Sequence, residues 1–191
     1  MSKVILFLFA LMQFNFCWGQ VANQKYRILT SGLFTGNMKI VQDIVGERWS
    51  IEIRNVGSCT PSREQKDSIK QHNKIIFPLI TEHYGEGWAE KFTKEIEEEF
   101  DNQLNVAFIL DTTDFIINKE HELKKKGING FLYFMRSVKN NSTYNVSVVT
   151  WNELDGKKDW VSYYRLLVHL NTKKVEILSD ELVRDQLHMD Y

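Results

Sequence analysis

Cysteine and proline are scarce in this chain of 191 residues, with two of each. Pro61 and Pro78 stand apart, so there is no proline-rich linker. Two cysteines cannot build the multi-bridge framework of a small disulfide scaffold. Charge of one sign is missing too. Lys and Arg number 24 against 25 Asp and Glu, a formal charge of −1, which removes the electrostatic case for a nucleic-acid partner. There is no Gly-rich phosphate loop, G-x-S-x-G elbow, H-E-x-x-H pair or cysteine cluster. The strong signatures of nucleotide binding, serine hydrolysis and zinc catalysis are therefore absent, and no cofactor or metal is implied.

Long apolar runs are limited to one. Lys3 precedes residues 4–12 (VILFLFALM), and Cys17-Trp18-Gly19 follows. Charge, apolar core and a small residue before the cut read as a cleavable secretory signal over 1–19, with the mature chain starting at Gln20. The run is shorter than the roughly 20 residues that span a bilayer, and the mature sequence holds no second candidate. Bulky Phe16 ahead of Cys17 speaks against a lipoprotein signal. Cleavage removes Lys3 and Cys17, leaving 172 residues with a formal charge of −2 and Cys59 as the lone cysteine. The mature fold must then rest on its apolar core, a normal size for one domain. Cys59 is either a small buried hydrophobe or an unpaired, reactive thiol.

Residues 20–37 form a polar lead-in with Gly32 and Gly36, and 38–191 a single α+β domain. Residues 38–45 (MKIVQDIV) fit strand or helix. Residues 49–56 (WSIEIRNV) alternate, as a strand with one buried face does. A helix pair is expected over 61–103. Thr60-Pro61 offers one start and the Ser62/Gln65 capping box another, one register later. Pro78 should kink or split the first helix near Phe77. Tyr84-Gly85-Glu86-Gly87 makes the elbow. Trp88, Phe92, Ile96 and Phe100 then recur at four-residue steps as an aromatic stripe.

From 105 the period falls to two, and a sheet is expected over 105–179. Its strands are 105–111, 131–138, 144–151, 160–170 and 174–179. A short exposed helix over 119–126 ends at Gly127, and another starts at Asp180 and runs to Leu187. Short turns at Asn140-Asn141-Ser142, Asp155-Gly156-Lys157 and Asn171-Thr172 make successive strands antiparallel. The architecture is an N-terminal helix pair packed on an antiparallel meander of four to five strands. Cystatin-like and NTF2-like folds share that plan by analogy.

Gly57 and Cys59, Asn73, Tyr84-Gly85, Trp88 and Phe92 together form a pattern. In them the segment 57–100 resembles the FEKKY domains, small exported bacterial domains. Ser58 separates glycine from cysteine here, and of the namesake stretch only Tyr84 is kept. The resemblance implies a bacterial envelope or secreted setting and no activity. It makes the sequons at Asn141 and Asn145 irrelevant, since glycosylation there needs a eukaryotic route.

Candidate chemistry is sparse. Cys59 with His72 or His83 could rim a small-molecule or enzymatic site in a curved-sheet cavity. Asp111 and Asp114, after an expected strand, could host acid/base or cation chemistry, and otherwise read as turn residues in an exposed loop. The acidic run over 97–101 and the basic run over 124–126 read as solvated faces. Trp151, Trp160, Tyr163 and Tyr164 cluster around one hairpin, where they fit cross-strand aromatic packing or, since Trp and Tyr are favoured at binding surfaces, a docking face. The sequence thus points to an exported, non-catalytic domain, periplasmic or secreted. It would bind a protein, peptide or envelope component through those aromatics. Mass spectrometry of the exported protein should find an unmodified N-terminus at Gln20; a diacylglycerol-modified Cys17 would refute the assignment.

Overall fold

The computed structural model describes residues 25–32, 36–128, 130–138, 142–154 and 156–184. The expected signal segment over 1–19 and the expected terminus at Gln20 lie outside these residues, as do Asn140, Asn141 and Asp155. The described chain is α+β, with helices and a five-stranded antiparallel sheet. It divides into two compact units, the first ending at Thr93 and the second beginning at Lys94.

The first unit starts with a strand inside the expected lead-in. β1 (Tyr26–Ser31) pairs in parallel with β2 (Ile51–Gly57). Parallel neighbours need a crossover, and α1 (Gly36–Arg48) supplies it. That resolves the ambiguity over 38–45. Val41 and Val45 are buried one turn apart, and Lys39 and Asp43, both half-buried, pair at i,i+4.

α2 spans Arg63–Tyr84 and starts at the second of the two expected caps. Ser62 Oγ accepts from the Gln65 N–H at 3.2 Å, and the Ser62 N–H donates to Gln65 Oε1 at 2.9 Å. Two orphan amides are satisfied at once. Pro78 does not split the helix. Proline and Lys74, whose carbonyl loses its partner, are both exposed, so water can serve that carbonyl. Gly85 ends α2 at φ 83, its N–H reaching the Thr81 carbonyl at 2.8 Å. A left-handed stop of this kind favours glycine.

A two-stranded sheet is marginal alone, and side chains of α2 complete this one. Asn73 Nδ2 donates to the Leu29 carbonyl at 2.8 Å, and Asn73 Oδ1 accepts from the Leu29 N–H at 3.0 Å. The carboxamide stands in for a neighbouring strand. Around it runs a chain of rings. Tyr26 meets His83 and Tyr84, Tyr84 meets Trp49 at 4.9 Å, Trp49 meets Phe92 at 5.7 Å, and Trp88 meets Phe77 at 5.7 Å. The Tyr84 hydroxyl donates to the Trp49 carbonyl, and Trp88 Nε1 to Thr81 Oγ1 at 3.0 Å.

α3 runs over Trp88–Asp111, so residues 105–111 are helical where a strand was expected. Burial gives the reason. Val106, Ile109 and Leu110 are buried while Phe108 is 66 % exposed, which is helical spacing; a strand would have hidden Phe108 with Val106. The aromatic stripe also needs correction. At 100° per residue, four-residue steps carry Phe100 roughly 120° away from Trp88, whereas Glu99 falls within roughly 20° of it. Glu99 is accordingly buried at 1 % exposure, outside the solvated face expected for the acidic run. Gln103 Nε2 donates to its Oε1 at 3.1 Å.

The second unit holds the rest of α3, then α4 (Asp114–Lys125), which starts before the expected 119. The meander follows: β3 (Leu132–Ser137), β4 (Thr143–Leu154), β5 (Lys157–His169) and β6 (Lys174–Ser179), in that spatial order and antiparallel. β7 (Val183–Arg184) adds to β5, in place of part of the expected terminal helix; residues 185–187 lie outside the described chain. The sheet therefore begins at Leu132 and not at 105. Its inner face (Tyr144, Val146, Val148, Leu166, Val168) packs on Val106, Ile109, Leu110 and Ile116 from α3 and α4.

Asn73→Ala strips both partners from the Leu29 backbone and should cost roughly 1–3 kcal/mol. Urea unfolding, with faster hydrogen exchange at the Leu29 amide, measures it.

Candidate functional site

The sheet's faces are set by one extra residue. Val148 pairs with Tyr164, but the next residue, Val149, pairs with Ser162. Tyr163 is therefore a β-bulge on β5, and such a residue breaks the alternation of a strand. Ser162 Oγ donates to the Tyr164 carbonyl at 3.3 Å across it. Tyr163 and Tyr164 consequently both point inward. Tyr163 packs with Leu123 and Val161 and meets Phe131 at 6.0 Å. Tyr164 meets Phe115 at 5.2 Å.

Trp160, an even-numbered residue like Tyr164, emerges on the opposite face. There it pairs with Trp151 of β4, ring centroids 5.5 Å apart at 74°. It also meets Phe134 of β3 at 6.1 Å and 88°. Phe134 pairs with Ser147 and Trp160 with Trp151, so the two rings meet across β4 on either side of Val149, which is fully buried. Edge-to-face pairs contribute roughly 0.5–1.5 kcal/mol beyond area burial. Trp151 is held by this stack yet remains 53 % exposed.

The four aromatic candidates thus separate. Trp151 and Trp160 share the outer face, while Tyr163 and Tyr164 belong to the core. Phe134 was missed as a partner; its place between Leu132 and Arg136 on an alternating strand was the available signal. β4 also outruns β3. Leu132 pairs with Val149, and Trp151 lies on the stretch of β4 beyond it.

The other candidates have structural duties. Cys59 is exposed in the loop between β2 and α2. His72 Nε2 lies 2.8 Å from the Arg27 carbonyl on β1, and His83 packs on Tyr84 at 4.5 Å. Asp111 ends α3, where Tyr133 Oη donates to it at 2.6 Å. Burial first, and the Asp111 carboxylate second, push the Tyr133 hydroxyl's pKa up and keep it protonated. Asp114 opens α4. Among the described residues no group of His, Cys, Asp and Glu could hold a metal, and no helix is long and apolar enough to cross a membrane.

The residues of the family-like pattern all fall in the first unit. A Cβ on Gly57 would lie 2.9 Å from that of Ser31, so the close approach of β1 to β2 requires glycine there. Asn73 completes β1, Tyr84 and Phe92 flank Trp49, and Trp88 ties α3 to Thr81. Apart from Cys59, which is exposed, these residues shape the fold, and they do not converge on a reactive centre. No family model, curated protein or solved structure matches this chain.

Next to the inner tyrosines, Lys119 Nζ stands 6.0 Å over the Tyr163 ring. It also donates to Glu122 at 2.8 Å, as Lys126 does at 2.7 Å. These two ammoniums hold the Glu122 carboxyl down at about 2. The unfolded chain then takes up this proton at higher pH than the folded one, so the pair's stabilisation is complete above the ordinary carboxylate range and is lost as pH falls toward 2. Glu122→Gln should flatten the acid limb of the stability–pH curve in that window, measured by thermal melts from neutral pH downward.

Proposed function

We propose that this chain is an exported, non-catalytic binding domain that engages a protein, a peptide or another envelope component through the outer face of its sheet. The observation that carries this reading is Trp151, half exposed and stacked on Trp160. Tryptophan is enriched where binding energy concentrates, and a ring already held by a neighbour has little rotamer freedom left to lose on association. The overrun of β4 past β3 supports a peptide-like partner, because backbone groups beyond the end of a pairing strand are a template for a further one.

The exported setting is supported by the n-region, apolar core and cleavage site over 1–19, and by the resemblance of 57–100 to FEKKY domains. An enzymatic site at Cys59 with His72 or His83 is the weaker reading. Both histidines are engaged in holding the first unit, and among the described residues Cys59 has no hydrogen-bonding partner.

A photo-crosslinking residue at Trp151, in the full chain expressed in its native host, should give a discrete adduct. The same group at exposed Glu90 should not. Trp160→Ala should lower the adduct yield by withdrawing the support of the stack. Equal labelling from both positions, or none from Trp151, would refute the reading.

A further inference from the structure

The second unit also carries a groove of about 400 Å3. One wall is α3, with Asn102, Asn105, Phe108 and Ile109. The other is the end of the sheet, with Ser142, Leu170, Asn171 and Lys173. Its volume lies in the range of ligand pockets, roughly 300–1,000 Å3. The Leu170 N–H donates to the Ser142 carbonyl at 2.8 Å, which ties the start of β4 to the β5–β6 turn.

Lys173 is the unusual residue. It closes that turn at φ 53, a left-handed conformation that glycine or asparagine takes at lower cost. Strain of this kind, observed at a groove, points to a use for the side chain. We propose that the groove binds an acidic saccharide of one or two rings.

The lining selects that chemistry. Three carboxamides and a hydroxyl each donate and accept, as sugar hydroxyls and acylamido groups do. The exposed Phe108 ring offers an apolar face to the C–H face of a sugar ring, while Ile109 and Leu170 supply an apolar floor. Lys173 is the one cation among the described lining residues, enough for one carboxylate and too little for a polyphosphate. Among the described lining residues none is Asp or Glu, so the free amino terminus of a peptide would find no counter-charge among them. This site is separate from the outer-face tryptophans and does not rest on their having a partner.

The test is an NMR titration of the 15N-labelled full chain with the disaccharide of glucuronic acid and N-acetylglucosamine. Saturable shifts are expected at the side-chain amides of Asn102, Asn105 and Asn171 and at the Lys173 N–H. N-acetylglucosamine alone should bind several-fold more weakly. Lys173→Gly should weaken the acidic disaccharide about tenfold, the loss of one charged hydrogen bond. Relief of the strained turn should also raise its Tm by roughly 2–4 °C. Lys173→Met should show the same loss of affinity without the gain in Tm. Absence of saturation in the millimolar range, unchanged affinity in both variants, or equal binding of an Ala-Ala dipeptide would overturn the proposal.

Discussion

Between Val148 and Val149 of β4, strand β5 carries one residue too many, and the arrangement of the second unit follows from how that residue is accommodated. With Tyr163 as a bulge, two consecutive tyrosines are committed to the interior, where they pack against Phe131 and Phe115. Beyond it the parity of β5 inverts, so Trp160 crosses to the outer face and meets Trp151 and Phe134. Without the bulge, Trp160 would share the face of Tyr164 and Leu166, and the outer face would lose the ring that supports Trp151. The interior gains aromatic mass and the exterior gains an ordered indole from the same irregularity.

The first unit solves a different problem. Two parallel strands leave backbone groups unpaired along their outer edges, and a sheet this small has little apolar area to offset that cost. The solution is a carboxamide placed as a surrogate strand, with a histidine beside it, both from α2. The aromatic rings then fix α2 and the first turns of α3 around β1 and β2. Asn73, Tyr84, Trp88 and Phe92 do this work, and Gly57 permits the close approach of β1 to β2.

Much of this was legible from the sequence. The Ser62 box, the Gly85 elbow and the four strands between Leu132 and Ser179 announce themselves through local chemistry that tertiary packing leaves intact. The errors arose where two signals share one set of residues. Residues 105–111 are rich in side chains that suit strands, yet their burial follows the helix begun at Trp88. The four-residue aromatic stripe overlooked the drift against a period of 3.6, so Glu99 was given to solvent. β1 and α1 were obscure together, because a parallel pair shows itself only once both strands and the crossover are recognised. The candidate site was half legible. Its residue types were visible, but a bulge leaves no mark in a single sequence, so Tyr163 and Tyr164 could not be told from the tryptophans. The groove was invisible because its lining comes from a helix and a turn far apart in the chain.

The distribution of indoles has a spectroscopic consequence. Trp49 and Trp88 belong to the first unit, and Trp151 and Trp160 to the second. The chromophores of the second unit stand 5.5 Å apart at a steep angle, close enough for their electronic transitions to couple. Such a pair produces a signed couplet in circular dichroism that separated indoles do not. The described chain thus contains an optical reporter at the outer face of its sheet, sensitive to any partner that tilts one ring against the other.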